Sequence, residues 1–327
     1  MRTLLELAQF YDEKLFPGIL VLEEKRKEVA TLVYAYSFII FLIGALVFFF
    51  SLKIPGSDSG IHGHYVDFRI PGTIIAATFS GMYFVYRLLT RSYVSDFKDV
   101  VIKQIVNFMD DSLVYQKDGF IRESEFKSSE IFNHSINEYK GDDLIQGTIG
   151  KTKIKFSELC AKYVTQGKNR SERIIFKGLF FIADFNKDFC KKTFVLPDRV
   201  ESMLGGLGTI FQKMNISRPP LVKLEDPEFE KLFSVYSDDP IESRYILSTS
   251  LMQRIVSFKK KSKREIYLSF IRSNVYIAIW YKRNLFEPKV FTTMLDFAPI
   301  QEYFEDLELA IKIVDDLNLN TRIWSKQ

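Results

Sequence analysis

Hydrophobic and polar positions change rhythm three times along this chain. The first 29 residues mix the two freely, and then Ala30 to Leu52 reads ATLVYAYSFIIFLIGALVFFFSL, 23 residues without a charge. As a helix this run spans about 34 Å at ~1.5 Å per residue, enough for a hydrocarbon core of about 30 Å. The alternative, a fully buried soluble helix, fits less well with so uniform a stretch. A cleaved signal peptide is not expected, because the run starts far from Met1 and Glu6, Asp12 and Glu13 precede it. A second apolar run, IPGTIIAATFSGMYFVY, lies between Arg69 and Arg87. It makes about 26 Å of helix, which spans if the two arginines snorkel and is otherwise a re-entrant or interfacial segment. Its Gly72, Ala76, Ala77, Ser80 and Gly81 allow close packing against a partner helix.

Basic residues flank the two runs unequally. Lys14, Lys25, Arg26 and Lys27 precede the first and Arg87, Arg91, Lys98 and Lys103 follow the second, while the connecting loop holds only Lys53 and Arg69. The positive-inside rule then predicts both termini in the cytoplasm and residues 53–69 outside. The expected layout is a cytosolic segment over 1–29, a hairpin over 30–90 with spans at 30–52 and 70–89, and a cytosolic domain over 91–327.

In that last part the rhythm alternates between helical and strand periods. SYVSDFKDVVIKQIVNFMDDSLVY puts Val94, Phe97, Val101, Ile105, Phe108 and Met109 near helical spacing, with Gly119 as the expected stop. DDLIQGTIGKTKIKFSELCAKYV predicts a hairpin turning at Gly150 and Lys151. RIIFKGLFFIADF is apolar on both faces, Ile174, Phe176, Phe180 and Ile182 on one and Ile175, Leu179, Phe181 and Phe185 on the other. That pattern predicts a central, covered strand, with KTFVLPD as its neighbour across a turn at residues 186–191. REIYLSFIRSNVYIAIWY reads as a second hairpin, turning at Ser273 and Asn274. Ser250 and Gln253 read as a capping box for the helix LMQRIVSFKK, whose Leu251, Met252, Ile255 and Val256 share a face. Pro299 opens a final helix with Ile300, Tyr303, Phe304, Leu307, Ile311 and Val314 on its apolar face and its acids outward. The fold class is α+β: a two-helix hairpin followed by a mixed domain of antiparallel strands and helices. ISRPPLVKLEDP, near 216–226, is a candidate divide between two lobes. Short similarities on either side of it suit a diverged duplication or a coincidence equally.

Composition changes this picture little. Of 327 residues 47% are hydrophobic and 26% charged, as in an ordered protein, and the 31 phenylalanines suit a Phe-rich core plus lipid-facing positions better than a ligand cavity. A net charge of +4 is too small to imply nucleic acid. Cys160 and Cys190, thirty residues apart, form no metal or redox motif and suit a reducing compartment.

Candidate chemistry is thin. DFNKD places Asp184, Asn186 and Asp188 at the first, third and fifth positions of a calcium loop. Phe189 stands where that loop needs glycine and Val195 where it needs a bidentate glutamate, so the stretch reads as a turn. His62, His64 and Asp67 offer a possible metal set in the connecting loop, against a solvated loop rich in glycine. Neither reading assigns a metal, and no motif implies a cofactor. His134 alone could serve a cytosolic catalytic triad. GGLG at Gly205–Gly208 follows a predicted helix, DRVESML, and reads as its C-cap rather than a phosphate cradle. The paired acids Asp142–Asp143 and Asp238–Asp239 are candidates for an acidic site, or else solvated turn residues. FKKKSKR, with Lys259, Lys260, Lys261, Lys263 and Arg264, is either a solvated helix end or a contact for anionic headgroups.

Several long blocks also carry a resemblance. FKGLFFIADFNKDF, TFVLPD, LVKLEDPEFEKLFSVYSDDPIESRYILSTSLMQRI and the terminal DLNLNTRIW, in that order from about Ser124 onward, resemble the bacterial domain of unknown function 3137 family. The N-terminal pair of apolar segments is similar to the family's layout. The resemblance implies a bacterial, membrane-anchored protein and brings no activity or catalytic residues. Two functional readings follow: an anchored module binding a protein partner or anionic lipid, or an enzyme acting on a lipid or peptide through the paired aspartates.

Overall fold

The computed structural model describes residues 2–52, 69–165, 167, 170–185, 189–198, 218–317 and 319. It divides into two compact units. One holds residues 3–104 and 287–300, the other residues 1–2, 105–286 and 301–327.

The helical unit begins with α1 (Leu4–Phe10), capped by Thr3, whose hydroxyl accepts from the Glu6 amide while the Glu6 carboxylate accepts from the Thr3 amide at 2.7 Å. A π-helical turn, Tyr11–Leu15, leads into α2 (Phe16–Ser51). The chain returns as α3 (Arg69–Phe97) and a second π turn, Lys98–Ile102. α2 and α3 run antiparallel: Gly18 meets Val100 near one end and Gly44 meets Thr78 near the other. A Cβ on Gly18 would lie 2.7 Å from Val100 Cγ1, and Gly81 leaves 3.6 Å to Ile40 Cγ2. Of the small residues expected at the packing seam only Gly81 lies there: Gly72 meets nothing within 4 Å, Ala76, Ala77 and Ser80 are exposed, and the close approach is supplied instead by Gly18 and Gly44 of α2. Away from this seam, Phe38, Phe41, Leu42, Ile43, Phe49 and Phe50 of α2 are exposed. Both helical stretches are long and apolar enough to cross a membrane. The strap Glu287–Ile300 completes the unit: its backbone carbonyls accept from Tyr11 of the first π turn and Arg26 of α2, and the Met294 sulfur accepts from the Tyr93 hydroxyl of α3.

The sheet unit starts with α4 (Lys103–Met109), whose helix ends ten residues before Gly119. The stop is set by Asp110, which accepts from the Ser112 amide, and the expected helical residues Val114–Gln116 instead form β1. Then come α5 (Glu123–Ser128), β2 (Glu138–Ile149), β3 (Thr152–Val164), β4 (Glu172–Asp184), β5 (Thr193–Pro197), β6 (Leu221–Val222), α6 (Pro227–Glu230) and β7 (Phe233–Ser237). α7 (Pro240–Ile246), α8 (Thr249–Ser262), β8 (Ile266–Ile271), β9 (Asn274–Trp280) and α9 (Phe297–Asp316) follow, the last of the described elements.

Among the described residues nine strands join one antiparallel sheet in the order β1-β2-β3-β4-β9-β8-β5-β7-β6. The β2–β3 hairpin turns at residues 150–151 as the pattern predicts, with Gly150 at φ 60°. β4 is central and covered, but its neighbours are β3 and β9. β5, expected beside β4, pairs instead with β8 and β7, so its connection from β4 crosses over β9 and β8. The β8–β9 hairpin turns at Arg272 and Ser273, one residue before the expected Ser273 and Asn274, with Arg272 at φ 57° and Asn274 already paired with Ile271, and β9 takes the place beside β4. Strands from both sides of residues 216–226 enter this sheet, and the stretch itself contributes β6.

A bulge passes over Ile175 between the pairs Ala161–Phe176 and Lys162–Ile174. It returns Ile175 to the face of Phe176 and leaves Ile174 largely exposed, reversing their expected sides. On that face Phe126 of α5 packs on Phe180 and Phe132 at 4.9 and 5.6 Å between ring centres. The phenylalanines of this unit thus build its core. α8 is capped by Ser248, two residues before the expected Ser250, and its predicted apolar face is buried. α9 buries all six predicted apolar positions, but Asp306 breaks the rule that its acids point outward.

Candidate functional site

The acidic pairs come from different parts of the sheet. Asp142 and Asp143 lie in β2, where a bulge between Asp142 and Ile145 gives Asp143 a φ of 58°. That twist turns the Asp143 carboxylate inward, where Oδ1 accepts from the Tyr115 hydroxyl of β1. Glu158 of β3 pairs with Asp142, and its Oε2 accepts from the Leu285 amide at 2.9 Å. The three carboxylates lie within 4.8 Å of one another, with Asp143 and Glu158 buried. They offer the hard oxygen ligands a divalent cation takes. Sequence reasoning missed Glu158, although the two-residue turn already places it opposite Asp143, and the bulge merely shifts it to Asp142.

Asp238 and Asp239 do not join them. Asp239 is the N-cap of α7, where Oδ1 accepts from the Ile241 and Glu242 amides at 2.8 and 3.1 Å, while Asp238 is exposed. They follow β7, six strand positions from β2 in the sheet order. At ~4.8 Å per strand that separation is roughly 29 Å, so no single cleft holds both pairs.

The basic run sits at the end of α8, and the fold occupies most of it. Lys259 lies 2.9 Å from Glu265, Lys260 pairs with Glu228, and Lys261 approaches Asp316 at 3.6 Å. Arg264 stands 4.5 Å over the Tyr281 ring, and Lys263 caps the helix in the left-handed region, φ 52°. The helix end, with its partial negative charge, collects these cations and acids from neighbouring elements answer them.

His134 Nε2 lies 3.4 Å from Arg173 Nη2. Cys160 is half-buried in β3, where desolvation pushes its thiol pKa up, and Cys190 is exposed. Phe189, the sixth position of the would-be calcium loop, is buried against Phe185 and Phe270, and Val195, the twelfth, is buried in β5. Asn186 and Asp188 lie outside the described residues, as do His62, His64, Asp67 and Gly205–Gly208. Arg218, which the sequence did not single out, lies 4.7 Å over the Phe194 ring and donates to the Ile131 carbonyl at 2.5 Å. Burial lowers its pKa to about 10.

The order of elements from β4 to α9 carries the blocks whose resemblance was noted, and residues 174–319 match the model described as "Protein of unknown function (DUF3137)". Over this range, somewhat under half of the chain, the sequence is similar to the DUF3137 family. The DUF3137 match begins inside β4, later than the Ser124 that the quoted blocks suggested. No curated protein matches the chain. Among solved structures, the chain is similar to the crystal structure of the mycobacterial trehalose monomycolate transport factor A, TtfA. Identity there is 8%, over 64% of this chain and 94% of that one, with a TM-score of 0.32. So distant a likeness carries no argument about this chain.

Proposed function

We propose that this chain is a bacterial inner-membrane protein whose antiparallel helical hairpin anchors a cytosolic sheet domain that binds a partner rather than catalysing a reaction. The observation that carries the reading is the exposed apolar surface of α2, from Leu32 to Phe50, beside a second apolar helix packed on it through small residues. Water would penalise so large an exposed apolar surface, and lipid would cover it. The positive-charge asymmetry supports both termini inside.

Binding is favoured over the enzymatic alternative because the paired aspartates stand at separate places in the sheet, Asp239 being used as a helix cap. Anionic lipid and a protein remain the two partner chemistries. The basic run supports lipid weakly, since Lys259, Lys260 and Lys261 each face a carboxylate of the fold. A protein partner is therefore the preferred one. The test is a reporter active only in the cytoplasm, fused at Gln327 or inserted at Gly60. Activity at Gln327 and none at Gly60 is expected, and activity at both removes the hairpin. Co-purification from native membranes with mass spectrometry then identifies the partner.

A further inference from the structure

We propose that the strap Glu287–Ile300 is a second membrane contact, which seats the Phe291 ring at the lipid headgroup level between Tyr34 of α2 and Tyr86 of α3. This rests on the hairpin being a membrane anchor.

The strap is remote in sequence from both helices, yet its position on them is fixed at several points. Arg26 Nη1 donates to the Val290 carbonyl at 2.8 Å, and the Met294 amide donates to Glu23 Oε2 at 3.3 Å. The Tyr11 hydroxyl donates to the Leu295 carbonyl at 2.6 Å, and Lys98 lies 3.3 Å from Glu287. All of these helix residues precede the first apolar run or follow the second. The strap therefore crosses the hairpin at the charged end of both spans.

Phe291 alone reaches past this polar band. Its ring centre lies 5.2 Å from that of Tyr34 and stacks on Tyr86 at 6.0 Å. Tyr34 is four residues into the run that starts at Ala30, so the ring sits about 6 Å inward at ~1.5 Å per residue. Tyr86 is the last residue before Arg87, which donates to the Tyr83 hydroxyl at 3.4 Å. Tyrosines beside an arginine at the end of an apolar span are the composition of an interfacial belt, where the rings meet acyl chains and the hydroxyls meet water. Despite its two ring neighbours Phe291 remains 52% exposed and Tyr34 63% exposed. This exposed aromatic surface is continuous with the apolar surface of the hairpin. One occupant fits both, the boundary between headgroups and acyl chains. Lying there, the non-helical part of the strap, residues 287–296, keeps its backbone polar groups within reach of water and protein donors, as non-helical chain at a membrane must.

The experiment uses the full chain in vesicles of phosphatidylethanolamine and phosphatidylglycerol. Cys160 and Cys190 are replaced by alanine, and Phe291→Cys carries an environment-sensitive fluorophore. Thr292→Cys, exposed beside it, repeats the measurement with the phenylalanine intact. Phe41→Cys reports on the span, and Cys190 kept as the only cysteine reports on the sheet unit. Lipids brominated near the glycerol or near the chain end supply the quenchers. Positions 291 and 292 are expected to lose roughly half their fluorescence to the shallow quencher and little to the deep one, as for an interfacial segment. Position 41 is expected to respond to the deep quencher and position 190 to neither. If position 41 responds while 291 and 292 behave like 190, the strap contact is wrong and the anchor stands. If position 41 also fails to respond, the anchor falls and the strap contact with it.

Discussion

Gly44 of α2 faces Thr78 of α3 so closely that a Cβ on the glycine would lie 2.3 Å from the threonine Oγ1 and 2.8 Å from its Cγ2. Thr78 cannot turn aside cheaply, because its hydroxyl donates to the Ile74 carbonyl at 2.8 Å. Gly44→Val should therefore push the helices apart and destabilise the hairpin by about 1–3 kcal/mol, the usual cost of overpacking. Thermal unfolding of the detergent-solubilised chain checks this. Thr78→Ala should restore much of the loss in the double variant while doing little alone, and equal damage with or without it would show that the contact is not the cause.

Gly178 occupies the corresponding tight place in the sheet unit. Its φ is 147°, and a Cβ there would lie 2.1 Å from the Ile279 carbonyl oxygen and 2.7 Å from the Tyr281 amide, both backbone atoms of or beside β9. Neither can move without opening the ladder at the Gly178–Trp280 pair. Gly178→Ala should cost about 3 kcal/mol or more from backbone strain and steric conflict together. Denaturant unfolding with near-ultraviolet circular dichroism measures it, and a loss under about 1 kcal/mol would contradict the stated geometry.

Asp306 gives the sheet unit a pH dependence of known sign. Burial raises its pKa to about 6, against the opposing pull of the Arg283 guanidinium, which lies 2.7 Å away and also reaches Glu302. A carboxyl held higher when folded stabilises in full below its unfolded value of about 3.9, and that contribution is lost as pH rises through about 6. The parent should therefore lose stability between about pH 4 and 6.5, by roughly 2 kcal/mol, more than Asp306→Asn does. Melting temperatures of the two proteins across that range supply the difference, and parallel curves would refute it.

Local pattern carried most elements of this fold. The β2–β3 and β8–β9 hairpins, the α8 and α9 faces and the apolar runs follow from spacing and turn residues, which act over a few positions. What the pattern left open depends on distant partners. β5 lies beside β8 and β7 because the β8–β9 hairpin occupies the edge of β4, a competition between strands about eighty residues apart that no local signal records. The Ile174–Ile175 exchange needs a bulge that only β3 defines. For the candidate sites, the paired aspartates and the basic run were visible, but Glu158 was not, nor was the company that any of them keeps. Glu158 comes to pair with Asp142 through a bulge that turns Asp143 inward beside it, Asp239 is consumed as a cap, and the lysines of the basic run find acids on α6, α9 and the chain before β8. The strap was illegible, since nothing in EPKVFTTMLDF declares that Phe291 stacks on Tyr86.

The hold on that strap is itself titratable. Glu23 accepts from Arg26 Nε and Nη2 at 2.8 and 2.7 Å, and the same guanidinium donates through Nη1 to the Val290 carbonyl. The Arg26 hydrogen bond, with help from the Met294 amide, holds the Glu23 pKa below its ordinary value in spite of burial. A carboxyl lowered by folding stabilises in full above the ordinary range, near 4.3, and that share is lost as pH falls through the lowered value. Acidification below about pH 4 should therefore loosen residues 287–300, seen as faster amide exchange there than along α2. Glu23→Gln should loosen the strap already at neutral pH and flatten the acid response, because the glutamine keeps the shape and loses the charge. Arg26→Lys separates charge from geometry: an ammonium pairs with Glu23 as a point charge but cannot fork across both carboxylate oxygens and still reach Val290. If the fork is what fixes the strap, Arg26→Lys should resemble Glu23→Gln in exchange at 287–300. Parent-like exchange in Arg26→Lys would show that charge alone suffices and that the Val290 contact contributes nothing.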